Sequence, residues 1–419
     1  MTRSLRALDW LNFFVADFQT GFGPFISVYL TGVGWTQGAI GASLSIGTIA
    51  GMASQVPGGA LAGMARDKRV AIAAAIVATM VSAVLIALWP HFLSIASAEI
   101  VHAFAGSVMV PGIAALSLAL VHPSIFGERL GRNARYAAIG NASAAALMGI
   151  CGYYFSDRSV FFLTAALCLP ALAALSAIRA ADRGPPEAAV ATRAPAAKPR
   201  PHRRPWQSLS ERGLLAYFAC AFFFHLANAA MLPIAAGMVT KRAGSGAAAI
   251  IAACIVGPQI VTALISPWAG RAAERWGRRP ILLLGYCALP MRGALLAGVT
   301  DPYLIVAVQL LDGLGAAVFG VLTPLIVADV TRKTSYYTTA LGVIGLAIGG
   351  GATLSTTLAG IVADHFGGTA SFLSLAVVGL CATLMVALLM PETRPLEYHS
   401  AAISGARGLP GFSSSAGGP

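Results

Sequence analysis

Charge is scarce in this 419-residue chain, at 11% of residues, and acid is scarcest, with 16 Asp and Glu against 28 Lys and Arg. A water-soluble globule of this length needs a far more charged surface, so that class is excluded. Cysteine is rare as well. Its six copies (Cys151, Cys168, Cys220, Cys254, Cys287 and Cys381) stand singly inside apolar runs, which excludes a disulfide framework and any metal-ligand spacing and leaves them as small packing residues. No Gly-x-x-x-x-Gly-Lys-Ser/Thr loop is present, and no nucleophile, base and metal-ligand set converges. An ATP-driven machine, an enzyme and a cofactor-bearing protein are therefore all set aside. Segments that alternate polar and apolar residues over about ten positions are also missing, which argues against a membrane barrel.

What fills the chain is apolar: 57% of residues are hydrophobic and the mean hydropathy is +0.76. A bilayer core of about 30 Å takes about 20 apolar residues per helix. Lipid offers backbone groups no water, so such runs must be helical. The expected spans are 7–31, 38–63, 70–89, 93–121, 136–154 and 160–179, then 213–239, 246–268, 280–299, 303–328, 338–363 and 371–390. The expectation is an all-α integral membrane protein with 12 transmembrane helices in two pseudo-symmetric six-helix bundles, residues 1–179 and 213–390. Between them, 180–212 reads as a cytoplasmic basic linker rich in Pro and Ala, with Arg193, Lys198, Arg200, Arg203 and Arg204. The Gly-, Ser- and Pro-rich stretch 391–419 is predicted to be a disordered cytoplasmic tail. The N-terminus has the basic start of a signal peptide (Arg3, Arg6), but Asp9 and Asp17 interrupt its apolar run, and it is read as the first permanent helix.

Basic residues set the expected orientation, because cytoplasmic loops hold an excess of Lys and Arg. With both termini inside, only Arg158, Lys241 and Arg242 fall outside, and Arg292 lies within a helix. The net charge of +12 is then a topology signal. It is spread over separate short loops, which speaks against a nucleic-acid partner.

Comparison of the halves at an offset of about 210 residues finds matching features, the mark of duplication. The clearest match joins the second and third helices of each half. The C-terminal copy reads Gly270-Arg271-Ala272-Ala273-Glu274-Arg275-Trp276-Gly277-Arg278-Arg279; the N-terminal copy, from Gly59 to Lys68, keeps the first glycine and the basic end. The Gly-x-x-x-acid-Arg-x-Gly-Arg-Arg pattern, at this place in a six-plus-six chain, resembles the loop signature of the major facilitator superfamily. The resemblance covers nearly the whole chain and implies a loop that latches the two halves when the cytoplasmic side is shut. Carried over, Gly270 and Gly277 allow close approach and a tight turn, Glu274 is the acid, and Arg275, Arg278 and Arg279 are its basic partners. In the first half Gly63 stands in the acid's place and Arg66 in that of the second glycine, with Asp67 as a possible substitute. His102 and Gly106 occupy the positions of the family's fourth-helix arginine and glycine. The Gly-Pro run found in the fifth helix of many proton-coupled exporters is absent, and Gly140, Gly149 and Gly152 stand there without proline. The stretch from Gly131 to Asn141 is similar to bacterial members of the superfamily and names no substrate.

Ionisable residues within membrane helices are functional candidates by default. Asp17 lies about 15 Å from the cytoplasmic end of the first helix, near the midplane, just before a helix-breaking Gly21, Gly23 and Pro24. His102 sits at similar depth, with Glu99 on the same face of the fourth helix, and a proton could pass between Asp17 and His102. In the second half Arg292 and Asp312 occupy consecutive helices at matching heights and are expected to pair. Gln309 joins Asp312 on its helix face. His225 and Asn228 align with Asp17 and Gln19 and would bind substrate or pack. The expected protein is a proton-coupled secondary transporter of the bacterial inner membrane, a monomer exporting a small, partly apolar compound. Proton-coupled uptake of a small anionic metabolite, drawn by Arg292, is the runner-up, and a transport-fold sensor or scaffold without flux the third reading.

Overall fold

A computed structural model describes residues 3–22, 24–179, 212–243, 247–332 and 334–395. The expected linker, apart from Arg212, and the expected tail beyond Pro395 lie outside those residues. Every regular element described is helical: α1 (Arg3–Thr20), α2 (Pro24–Gly32), α3 (Gln37–Met64), α4 (Lys68–Leu88), α5 (Phe92–Leu120), α6 (Phe126–Tyr154) and α7 (Ser159–Ser176) come first. α8 (Arg212–Asn228), α9 (Met231–Ala243), α10 (Ala247–Trp276), α11 (Arg278–Gly298), α12 (Pro302–Thr331) and α13 (Tyr337–Leu389) follow. Among the described residues, nine helical stretches are long and apolar enough to cross a bilayer.

Local chemistry places the helix ends. Thr36 accepts from the Ala39 amide to start α3, and Asp67 accepts from the Arg69 amide to start α4. Asp301 accepts from the amides of Tyr303 and Leu304 to start α12, with Pro302 in the first turn. Each side chain answers amides that the helix itself leaves unpaired.

Five boundaries differ from expectation. The first span is two helices, broken after Thr20 and resumed at Pro24, and the seventh breaks likewise between Asn228 and Met231. α6 begins at Phe126, not near 136, because the charged stretch read as loop is helical and its charges find partners within the protein. α10 runs on through Trp276, so most of the predicted loop motif is the last turns of a helix. No loop separates the last two spans: α13 bends at Gly367, whose φ of 85° suits glycine, and Asp364 and His365 lie exposed before the bend.

Two main apolar cores lie within the protein, and the second also takes in Phe126 and Leu130 of α6. Leu8, Leu11 and Phe18 of α1 pack with Ile72 and Ile76 of α4 and Leu175 of α7, while Tyr217 and Phe224 of α8 pack with Tyr286 of α11 and Leu322 of α12. The first region, α1–α7, and the second, α8–α13, meet along two seams. α6 crosses α10, where a methyl group on Gly131 or Gly270 would overlap the backbone of Ser266 or Gly127. α3 crosses α13, where Gly59 meets the Thr338 carbonyl and Gly342 meets that of Gln55. These contacts gather at the end that carries the 65–67 turn and Gly277. Beyond them, α3 and α13 present exposed apolar residues such as Ile49, Leu354 and Leu358.

Candidate functional site

In the second region the candidates converge. Arg292, 2% exposed, donates from Nε to Gln309 Oε1 at 2.7 Å, and from Nη1 to Asn228 Oδ1 at 2.5 Å and Asp312 Oδ1 at 2.6 Å. Three helices thus meet on one guanidinium: α11 supplies it, α12 supplies Gln309 and Asp312, and α8 ends on Asn228 where the seventh span breaks. The next backbone amide past the break, that of Ala230, is taken by Ser355 Oγ of α13. A buried cation needs such a shell of oxygens, and the planar guanidinium can serve several at once. His225 stands apart: its Nδ1 bonds the Ala221 carbonyl, and its ring packs on Phe319.

The first region handles its polar groups differently. Asp17 and Glu99 are buried, yet Asp17 Oδ1, Glu99 Oε1 and His102 Nδ1 have no hydrogen-bond partner among the described residues, and neither has Gln19 Nε2. Glu99 packs against α3 at Gly47, where only a glycine leaves room for its carboxylate. The His102 ring lies flat on Phe22 at 3.6 Å between centroids, at the break between α1 and α2. Asp17 and His102 are not joined by a hydrogen bond. One turn from His102, a methyl group on Gly106 would meet nothing within 4 Å, so this face opens on free space. Buried polar atoms left unpaired cost about 1–3 kcal/mol each, and such exceptions call for a functional reason.

The predicted gate residues divide between the two seams. Glu274 accepts the Gly127 amide at 2.5 Å, so the acid latches α10 to the start of α6 and does not pair with the arginines beside it as expected. An anion at a helix N-terminus meets the unpaired amides and the positive end of the helix dipole. Arg278 instead pairs with Asp329 at 2.9 Å, Arg279 bonds the Ala387 carbonyl, and Arg275 is exposed. Gly277 turns at φ 104°. On the other seam, Gly63 lies against the Thr338 hydroxyl where an acid side chain has no room, and Asp67 caps α4 and pairs with Arg69 at 3.0 Å.

Two features escaped the sequence. Asp9, 1% exposed, pairs with buried Arg129 and with Arg132 at 2.8 Å; Arg129 Nε continues to Asn133, and Asn133 to Ser117 at 2.7 Å. This cluster ties α1 to α6. The other is Glu392, in the stretch expected to be disordered, which accepts the Arg278 amide at 2.8 Å and the Arg279 amide at 3.1 Å, capping α11 where Gly277 has no side chain to do so. Neither shows in the side-chain pattern, because the nearer partner of Asp9 stands 120 residues away and those of Glu392 are backbone amides. Among the described residues, no group of three His, Cys, Asp or Glu could hold a metal ion.

The sequence profile of the Major Facilitator Superfamily matches residues 9–261 and 243–412. An uncharacterized MFS-type transporter, found in two strains of Mycobacterium tuberculosis, is 37% identical over 398 residues, 93% of this chain and 94% of that protein. The Multidrug resistance protein B homolog of the same organism is 26% identical over 205 residues, 48% of this chain and 37% of that relative.

Proposed function

The chain belongs to the Major Facilitator Superfamily, whose members are membrane transporters and not enzymes, and on that premise we propose that it is a proton-coupled exporter of a small, partly apolar compound. It works by alternating access, as a monomer in the bacterial inner membrane with both termini in the cytoplasm. The nine apolar stretches, with α1–α2, α6 and the second arm of α13, make the twelve spans of two six-helix bundles. The substrate binds between the bundles, where the interrupted first and seventh spans face each other across the pseudo-symmetry.

The observation that carries this reading is the set of unpaired buried atoms on Asp17, Glu99 and His102. A carboxyl group with no fixed partner can gain and lose a proton without breaking a structural bond, and protons are the coupling ion such groups handle. The seams support the rest. Contacts between bundles gather at the Gly277 end, as in a transporter shut toward the cytoplasm, and the Glu274 link to Gly127 is the latch that must release for the other side to open. Similarity to a multidrug resistance homolog, over 48% of the chain, favours export. Uptake of an anionic metabolite is the weaker reading, since Arg292 already spends Nε and Nη1 on Gln309, Asn228 and Asp312.

The test is intracellular accumulation of a compound panel in cells expressing the wild type or Asp17→Asn across external pH. Export predicts that the wild type lowers accumulation of at least one compound in a pH-dependent way and that Asp17→Asn removes the effect. Equal handling of every transported compound by both strains would rule Asp17 out as the coupling group. Raised accumulation would replace export by uptake, and proteoliposomes showing no substrate-dependent proton movement would favour a sensor without flux.

A further inference from the structure

α4 and α7 leave an open groove between them on the surface of the first bundle, with a volume of about 390 Å³. Val81 and Leu85 of α4 and Trp89 just past its end line one side, and Ala165, Ala166 and Leu169 of α7 the other. The hollow arises because two alanines face longer side chains across the helix pair. Its walls are apolar, and Val81, Trp89 and Leu169 are each more than half exposed.

The groove has a polar mouth. Arg158, just before α7, donates from Nε to the Ala87 carbonyl at 2.6 Å, one turn or less from Leu85 and Trp89. The same carbonyl accepts from Tyr29 at 3.4 Å. The guanidinium also lies 5.7 Å from the centre of the Phe162 ring, which continues toward Ala165 and Ala166 along α7. This fixes the Arg158 head over the groove's end while the residue stays exposed, and no further hydrogen bond to its Nη groups occurs among the described residues. The neighbouring acid, Asp157, packs beside Gly32 and Gly152 instead. Exposed Tyr153, Tyr154 and Phe155 cluster at this end, as aromatic residues do at a membrane–water boundary.

We propose that this groove is a phospholipid site: one acyl chain lies between α4 and α7, and the phosphate meets Arg158. The dimensions agree. From Arg158 to Leu169 is about 16 Å at about 1.5 Å per residue, the depth of one leaflet in a core of about 30 Å. A transmembrane helix, about 10 Å across, is too wide for a hollow of this volume, whereas a single chain fits it. Charge complementarity selects a phosphate-bearing lipid, because Arg158 is among the few cations at this end of the chain.

Two measurements on the full-length protein test the site. Native mass spectrometry of protein extracted in mild detergent should find one phospholipid retained, and Arg158→Gln should lower that retention about tenfold. In nanodiscs of phosphatidylglycerol with a photoreactive acyl chain, cross-links should concentrate on the groove walls of α4 and α7. Ala166→Phe, which fills the hollow and spares Arg158, should abolish them, while Arg6→Gln on α1 should change neither readout. Cross-links spread evenly over the lipid-facing helices would overturn the site, as would wild-type retention in both Arg158→Gln and Ala166→Phe. A dimer dissolved by Ala166→Phe would assign the groove to a second copy of the chain instead. If a variant fails to elute as folded protein, the cross-link map of the wild type alone decides.

Discussion

The two regions bury ionisable residues to opposite ends. In the second, Arg292 is held by three oxygens from two neighbouring helices, and Asp312 is spoken for. In the first, Asp17 and Glu99 lie as deep but keep an oxygen each without a partner. Although Gln309 Nε2 has no partner among the described residues, the ion pair at the centre of this network is a structural joint, since any change of charge within it strands a buried group. An open carboxyl can change its protonation and leave the packing as it was. The second region thus joins its helices through Arg292, while the first, beside its Asp9 cluster, buries Asp17 and Glu99 with an oxygen each that has no partner among the described residues.

The sharpest way to break this contrast is Arg292→Met. It leaves Asp312 and Gln309 facing apolar surroundings, and loss of one member of a buried pair costs about 3–5 kcal/mol, toward the lower end here because the Asp312 side chain is 27% exposed. Thermal unfolding in detergent should show the largest drop of any variant described here. Adding Asp312→Leu should recover much of it, because both charges are then gone. A single Arg292→Met variant as stable as wild type would make the network dispensable and the contrast empty.

Asp9→Asn comes next and bears on the closed cluster of the first region. It removes the carboxylate that answers two guanidiniums, of which Arg129 is 4% exposed and Arg132 41%. Water reaches Arg132, so the loss falls mainly on Arg129, and about 2–3 kcal/mol is expected. The same unfolding assay reads it. Glu392→Ala should cost less, about 1 kcal/mol, as the loss of a helix cap does; no change in unfolding would mean that water replaces the carboxylate at those amides.

How far the sequence carried these features depended on whether the signal was local. The apolar runs marked most span ends to within a few residues, the start of α6 and the end of α10 excepted, and Arg292 with Asp312 was legible because consecutive helices at matching heights have to meet. Glu274 was legible through its motif, although its partner was not: a backbone amide leaves no mark in a side-chain pattern. The Asp9 cluster was hidden for a physical reason. Hydropathy counts Arg129 and Arg132 as costs of burial, so the start of α6 read as loop until an acid 120 residues away supplied the compensating charge. The seventh span's break at 229–230 falls on two alanines, and its signal stands four residues on: Pro233 has no amide to bond the Ala229 carbonyl. The bend at Gly367 replaced a loop because one left-handed residue reverses the chain where several had been allowed for.

The smallest expected change in stability is the most telling. Asp17→Asn makes the same chemical substitution as Asp9→Asn, on the same helix and about two turns away. Both aspartates are 1% exposed. If burial alone decided the cost, the two variants would unfold alike. Asp17, however, has an oxygen with no partner among the described residues, and replacing a carboxyl with an amide of equal size there strands none of them. Its unfolding should move by less than about 0.5 kcal/mol, within the range of a neutral substitution, while pH-dependent transport is lost. Destabilisation equal to that of Asp9→Asn would show that Asp17 is a structural charge after all, and both bundles would then be built on the same principle.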